Sequence, residues 1–240
     1  MRARAAALAA AFVVVAAAAP ALAHTGHDRR PGATKFDLEV KISRPQQPAY
    51  DPHVAADSYG NLYVVARKET PASPDDRAGT KVRGSSWRWT SADGGATWTS
   101  LPGPPAEADG KVAGLVSDVA VDGAGHAYVI DSGVVLRWTA TGLGKVAYDA
   151  ATPVPLLPTD APPRLAAHGD GTVFLLAGNA LRASYDGGRT FGLNAVTLPG
   201  ATDCRLAADR RPGAQAVYAS CLDGAGHVYA YASHDDGRTF

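Results

Sequence analysis

The chain has 240 residues, 23 of them basic and 23 acidic, and so no formal net charge at neutral pH. That balance excludes the broad basic face that a nucleic-acid partner requires. With 26 glycines and 17 prolines beside 46% apolar residues, it reads as a turn-rich folded chain and not as a disordered one.

Residues 1–23 read as a secretory signal peptide. Arg2 and Arg4 precede an apolar run, Ala5 to Ala19, and the small residues Ala21 and Ala23 occupy the cleavage positions. The run is too short to span a bilayer, and no later segment reaches about 18 uninterrupted apolar residues, so no membrane span is expected. The mature protein is therefore expected to be secreted and extracellular. Residues 24–34 form a flexible polar tail whose first residues, "HTGHD", place His24 and His27 beside a free amine. Such a set suits Cu(II) or Zn(II), and a frayed terminus is the simpler reading of it. No other metal site and no cofactor is expected. The string "KFDLEVKIS" at 35–43 alternates, with Phe36, Leu38, Val40 and Ile42 on one face, which predicts a strand without a hairpin partner.

Beyond residue 43 the chain repeats itself. Four strings, "HVAADSYGNLYVV" (53–65), "DVAVDGAGHAYVI" (118–130), "RLAAHGDGTVFLL" (164–176) and "RLAADRRPGAQAVYAS" (205–220), share one plan. Each has a short strand of small apolar residues, a Gly- or Asp-rich turn, and a strand of aromatic and β-branched residues, the signature of a hairpin. A third strand follows and ends in a second repeated string: "SADGGATW" (91–98), "SYDGGRTF" (184–191) and "SHDDGRTF" (233–240). Asp93 and Asp186 lie far enough apart to hold one degenerate unit, "TATGLGKV" (139–146), where Thr141 replaces the aspartate and Val146 the aromatic residue. Four strands in roughly 45 residues make the blade of a β-propeller. The predicted blades are 44–103, 104–158, 159–200 and an incomplete 201–240, within a propeller over 35–240.

The second string, carried by Ser91, Asp93, Gly95 and Trp98, by Ser184, Asp186, Gly188 and Phe191, and by Ser233, Asp235, Gly237 and Phe240, resembles the Asp-box, or BNR repeat, of the sialidase-like propeller family. The resemblance covers residues 44–240. It implies an all-β propeller of four-stranded antiparallel blades, with these turns on the face opposite the binding site. Larger blade numbers in that family imply that the chain stops after part of its fourth blade. The residues themselves give a matching account: an aspartate accepts backbone N–H groups just ahead of it, and glycines take the left-handed backbone such a turn needs.

If those turns mark the lower face, the inner strands begin at the upper one. His53, Asp118, Arg164 and Arg205 then stand at equivalent strand starts around the channel mouth and are the candidate ligand-binding residues. The resemblance implies an arginine triad, a Tyr–Glu nucleophile pair and an aspartic acid/base for sialidase chemistry. Arg164 and Arg205, on adjacent blades, would supply two of the arginines, but the Phe-Arg-Ile-Pro-like segment of that family is absent, "ISRPQQP" (42–48) matching it poorly, and none of Glu39, Glu69 and Glu107 has an evident tyrosine partner. The expected function is an exported propeller that binds a glycan or other extracellular ligand on its upper face. Glycoside hydrolysis with further catalytic residues beyond residue 240 is the alternative, and a scaffold for assembly is a third reading. Cys204 and Cys221 flank the last hairpin, and in an exported chain they predict a disulfide.

Overall fold

The computed structural model describes residues 40–43, 49–68, 86–102, 118–131, 133–154, 163–169, 171–211 and 213–240. They contain strands and turns and no helix, arranged as four antiparallel sheets in chain order. Blade 1 comprises β1 (Ala49–Ala56), β2 (Leu62–Lys68), β3 (Ser86–Ser91) and β4 (Thr99–Ser100). Blade 2 comprises β5 (Asp118–Val121), β6 (His126–Asp131), β7 (Val134–Gly142) and β8 (Lys145–Pro153). Blade 3 holds β9 (Arg164–Ala167), β10 (Val173–Ala177), β11 (Ala180–Ser184) and β12 (Val196–Thr197). Blade 4 has three strands, β13 (Asp203–Ala208), β14 (Val217–Leu222) and β15 (Val228–Ser233). Each sheet runs in sequence order from an inner to an outer strand, and the four together form a four-bladed β-propeller, the all-β propeller fold expected above.

The inner strands crowd one axis, and small side chains make that possible. Ala55, Ala120, Ala166 and Ala207, one from each blade, line a central cavity of about 350 Å³. Below it the hairpin turns close in: a Cβ on Gly169 would collide with the Arg210 carbonyl, so only glycine fits there. Arg210 in turn donates from Nη1 to the Ala56 carbonyl at 2.8 Å, tying the inner hairpin of blade 4 to blade 1.

The core is divided among the blade junctions. Tyr63, Val65, Val129 and Trp138 pack between blades 1 and 2, and Tyr128, Ile130, Leu175 and Phe191 between blades 2 and 3. Phe174, Leu176, Leu181 and Val217 pack between blades 3 and 4. A sheet covered on both faces has no polar side, which is why β10, "VFLLA", is buried throughout. In β14, "VYASCL", buried and exposed residues alternate, because only one face of blade 4 meets a neighbour. Its other face leaves Tyr218 44% and Val228 75% exposed.

The repeated turns close on themselves. Asp93 accepts from the Ser91 hydroxyl at 2.8 Å, from the Thr97 N–H at 2.9 Å and from its hydroxyl at 2.6 Å. Asp186 and Asp235 repeat this with Ser184 and Thr190 and with Ser233 and Thr239. The degenerate unit in blade 2 is held from outside instead. Asn61 of blade 1 donates to the Gly142 carbonyl at 3.2 Å and accepts from the Gly144 N–H at 2.7 Å, replacing the aspartate that Thr141 is not.

Two expectations need correction or restriction. Val40 to Ile42 lie in no strand, so the described part of 35–43 does not form the expected strand. The signal segment, the polar tail with His24 and His27, and most of the long upper loops lie outside the described residues. Cys204 and Cys221 do form the disulfide, as directly facing partners of β13 and β14 with Cα atoms 4.1 Å apart.

Two stability predictions follow from these bonds. Reduction of Cys204–Cys221 should lower stability by about 3 kcal/mol on the chain-entropy model, read as a drop in the melting temperature under reductant. An unchanged melting temperature would contradict it. For Asp93, the Thr97 hydroxyl and N–H and the Ser91 hydroxyl hold the carboxyl at about 2. For Asp186, burial pushes upward, but the bonds from Thr190 and Ser184 prevail and hold it at about 2. A depressed carboxyl stabilises above its unfolded value and loses that contribution as pH falls through its folded one. Acid titration should therefore loosen the fold in the window between about 4 and about 2, modestly, because both groups are well solvated. In Asp93→Ala and Asp186→Ala variants melted across this window, that acid dependence should shrink.

Candidate functional site

At the upper end of the axis the structure brings together three of the four candidate side chains, from three consecutive blades. The inner strand of blade 1 arrives there irregularly: its register with β2 shifts between Tyr50 and His53, and Asp51 adopts a left-handed φ of 49°. A bulge of this kind re-aims the residues beside it, and non-glycine residues in that region are strained. The result is that His53 points its two ring nitrogens at different neighbours. Nδ1 lies 3.1 Å from Asp118 Oδ1, and Nε2 lies 3.5 Å from Asp51 Oδ1. Arg164 Nη1 stands 3.3 Å from the same Nε2.

Asp118, the first residue of β5, is fixed by backbone. Its Oδ1 accepts from its neighbour Val119 at 2.8 Å, and its Oδ2 accepts from the Leu165 N–H of blade 3 at 2.8 Å. One carboxylate thus staples blade 2 to blade 3 and orients the histidine of blade 1. The hydrogen bond to Asp118 is the main reason the His53 pKa is raised, opposed by burial and aided by the charges of Asp118 and Asp51.

Arg164, the first residue of β9, is 5% exposed, and its Nε is buried with no hydrogen-bond partner. Among the described residues no carboxylate pairs with this guanidinium, and a buried cation that faces a histidine in place of an anion is poorly compensated. Arg205 does not join it. Its Nη1 donates to Asp203 at 2.7 Å and to the Cys204 carbonyl at 3.0 Å, and more than half of its side chain is exposed. Both arginines stand on the same side of their sheets. Blade 4 covers that side of blade 3, whereas the corresponding side of blade 4 is open, so an identical string ends in a buried cation in one blade and a solvated ion pair in the next.

Sequence reading did not single out Asp51, whose place in the irregular first part of β1 carries no repeat signal. It also passed over a second upper cluster, in which the Ser86 hydroxyl donates to Asp131 at 2.5 Å and Arg88 Nη1 at 2.9 Å, the Arg88 guanidinium lying 5.9 Å from the Trp138 ring. The alternation of "SWRWTS" was the available clue, since it sets Arg88 on the face toward blade 2. Among the described residues no group of three His, Cys, Asp or Glu side chains is placed to hold a metal ion. Glu69 and Glu107 lie outside the described residues, as does Glu39.

No family model matches the chain, and no curated relative matches it by sequence. Among solved structures, a protein of unknown function from Dyadobacter fermentans aligns with a TM-score of 0.50 and 15% identity, over 79% of this chain and 62% of that one. An α-L-arabinanase from Penicillium chrysogenum aligns with a TM-score of 0.49 and 12% identity, over 78% of this chain and 63% of its own. The NanB sialidase of Streptococcus pneumoniae aligns with a TM-score of 0.46 and 9% identity, over 79% of this chain and 49% of its own. At these identities the likeness concerns the fold alone, and this chain spans less than two thirds of the length of each.

The electrostatics of the mouth yield a third prediction. Because the folded pKa of His53 is raised, its stabilising contact with Asp118 is complete below the ordinary histidine value of 6.5 and is lost as pH rises through the folded one. Asp118→Asn should bring the imidazole titration, followed by NMR, back down toward that ordinary value. An unmoved titration curve would show that Asp118 does not hold His53.

Proposed function

We propose that this chain is an exported propeller that binds an acidic sugar, or a ligand of like charge, at its upper mouth. The observation that carries this reading is Arg164: buried, unpaired at Nε, and facing His53 where three inner strands meet at the mouth. His53 and the Leu165 N–H already engage Asp118, so among the described residues the guanidinium is the group left without an anion. A planar donor fork matches a carboxylate in two places at once, and a protonated His53 beside it adds a second positive donor. The aspartates of the repeated turns take no part, since serine and threonine of their own turns engage their oxygens.

The test is titration of the purified chain with N-acetylneuraminate, with neutral N-acetylglucosamine as control, by NMR or calorimetry. Binding of the acid alone, weakening as pH rises through the His53 titration and lost in Arg164→Ala, is the expected result. Truncating one partner of a charged, desolvated contact costs about 2–5 kcal/mol, which is enough to abolish a weak sugar complex. Equal binding of both sugars, or full binding by Arg164→Ala, would refute the assignment. A fluorogenic sialoside should not be turned over, because general-acid chemistry needs a carboxyl free to move a proton and Asp118 is held by His53 and by the Val119 and Leu165 N–H groups. Turnover abolished by Arg164→Ala would establish glycoside hydrolysis in its place.

A further inference from the structure

Blades 1, 2 and 3 each present a polar residue at the foot of the inner strand, beneath the repeated turn of the following blade. In blade 1 this residue is Asp57, which accepts from the N–H groups of Tyr59 and Asn61 at 2.9 Å and from the Asn61 amide and the Tyr63 hydroxyl at 2.7 Å. In blade 2 it is Asp122, which accepts from the Ala124 and His126 N–H groups at 2.9 and 2.8 Å and from the Tyr128 hydroxyl at 2.8 Å, while His126 Nδ1 lies 2.7 Å away. Both are buried and both are fully engaged.

Blade 3 departs from this pattern. His168 stands at that position, 0% exposed, and neither ring nitrogen has a hydrogen-bond partner. Against it sits Asp236 of the blade 4 turn, whose Oδ1 is also buried without a partner. The two approach to 3.7 Å, too far for a hydrogen bond. Arg238 and Gln215 reach the other oxygen of Asp236, at 3.3 and 3.5 Å, and the Phe174 ring lies 4.8 Å from the imidazole. Asp236 is itself in an unfavourable backbone state. It holds φ at 57°, where the same turn one blade earlier has Gly187 at 72°, and a side chain in that left-handed region is strained.

We propose that the junction between blades 3 and 4 is a built-in seam, the place where this propeller opens. Three buried polar atoms without partners and one strained residue meet there, and each lowers the cost of separating the two blades relative to the junctions beneath blades 2 and 3. The exchange of residue types is concerted. Where the preceding junction has Asp122, Tyr128 and Gly187, this one has His168, Phe174 and Asp236, so restoring the earlier set would remove strain and unpaired atoms together. An aspartate at 168 would accept the N–H groups of its own turn and the hydroxyl of a tyrosine at 174, as Asp122 does from Tyr128, and a glycine at 236 would hold the left-handed backbone freely. Arg164 begins β9 at its upper end and His168 follows its lower end, so the seam is centred away from the mouth and does not depend on what binds there.

Hydrogen exchange of the intact chain, read by mass spectrometry, tests this. In the triple variant His168→Asp, Phe174→Tyr and Asp236→Gly, amides of β13, β14 and β15 should exchange about tenfold more slowly than in the unaltered chain, with those of β5 and β6 unchanged, and the melting temperature should rise. Asp236→Gly alone should slow the same amides to a smaller degree. Unchanged or faster exchange of blade 4 in the triple variant overturns the seam, as does failure of that variant to fold, since the substitutions are expected to relieve the junction.

Discussion

A sheet of short strands has two faces and no interior, so a single blade here cannot bury anything by itself. Every other feature of the fold depends on that constraint. The apolar clusters lie between blades, the fully apolar strands are those with neighbours on both sides, and the polar contacts that matter most for shape cross from one blade to the next. Asn61 holding the blade 2 turn and Arg137 Nη1 reaching the Gly187 carbonyl of blade 3 at 2.5 Å do the same work by different chemistry. Hydrophobic burial drives the stacking, and these directional contacts set its register.

The lower rim shows how such a stack tolerates polar groups at its seams. Asp122 is almost entirely buried, and burial alone would push its carboxyl upward, yet the bonds from His126 and Tyr128 hold it below the usual range. A buried charge is acceptable there because each lone pair has a donor. His168 and Asp236 mark the junction where that accounting does not close.

Much of this was legible in the sequence because turn chemistry and strand periodicity are local. The hairpins and the repeated turns can be read from a few adjacent residues, and the disulfide from the two strands of a single hairpin. The failures have non-local causes. "KFDLEVKIS" alternates well, but alternation selects a face and supplies no free edge to pair with, and Val40 to Ile42 join no sheet. Arg164 and Arg205 sit in identical strings, and only the presence or absence of a covering blade separates a buried cation from a surface ion pair. Asp51 entered the mouth through a bulge, which no pattern of apolar residues announces.

The Asp118 staple has a further consequence. The carboxylate that orients His53 is the one that holds Leu165, so the mouth has no existence apart from the stacking of three blades whose contributing residues are distant in the chain. Any ligand held by His53 and Arg164 together is therefore a clamp across the assembled ring and has nothing to hold in a partly stacked chain. Occupancy would then act as a thermodynamic brace, its contribution rising with the logarithm of ligand concentration. The most fragile stage of the molecule's life would be the interval before a ligand is met.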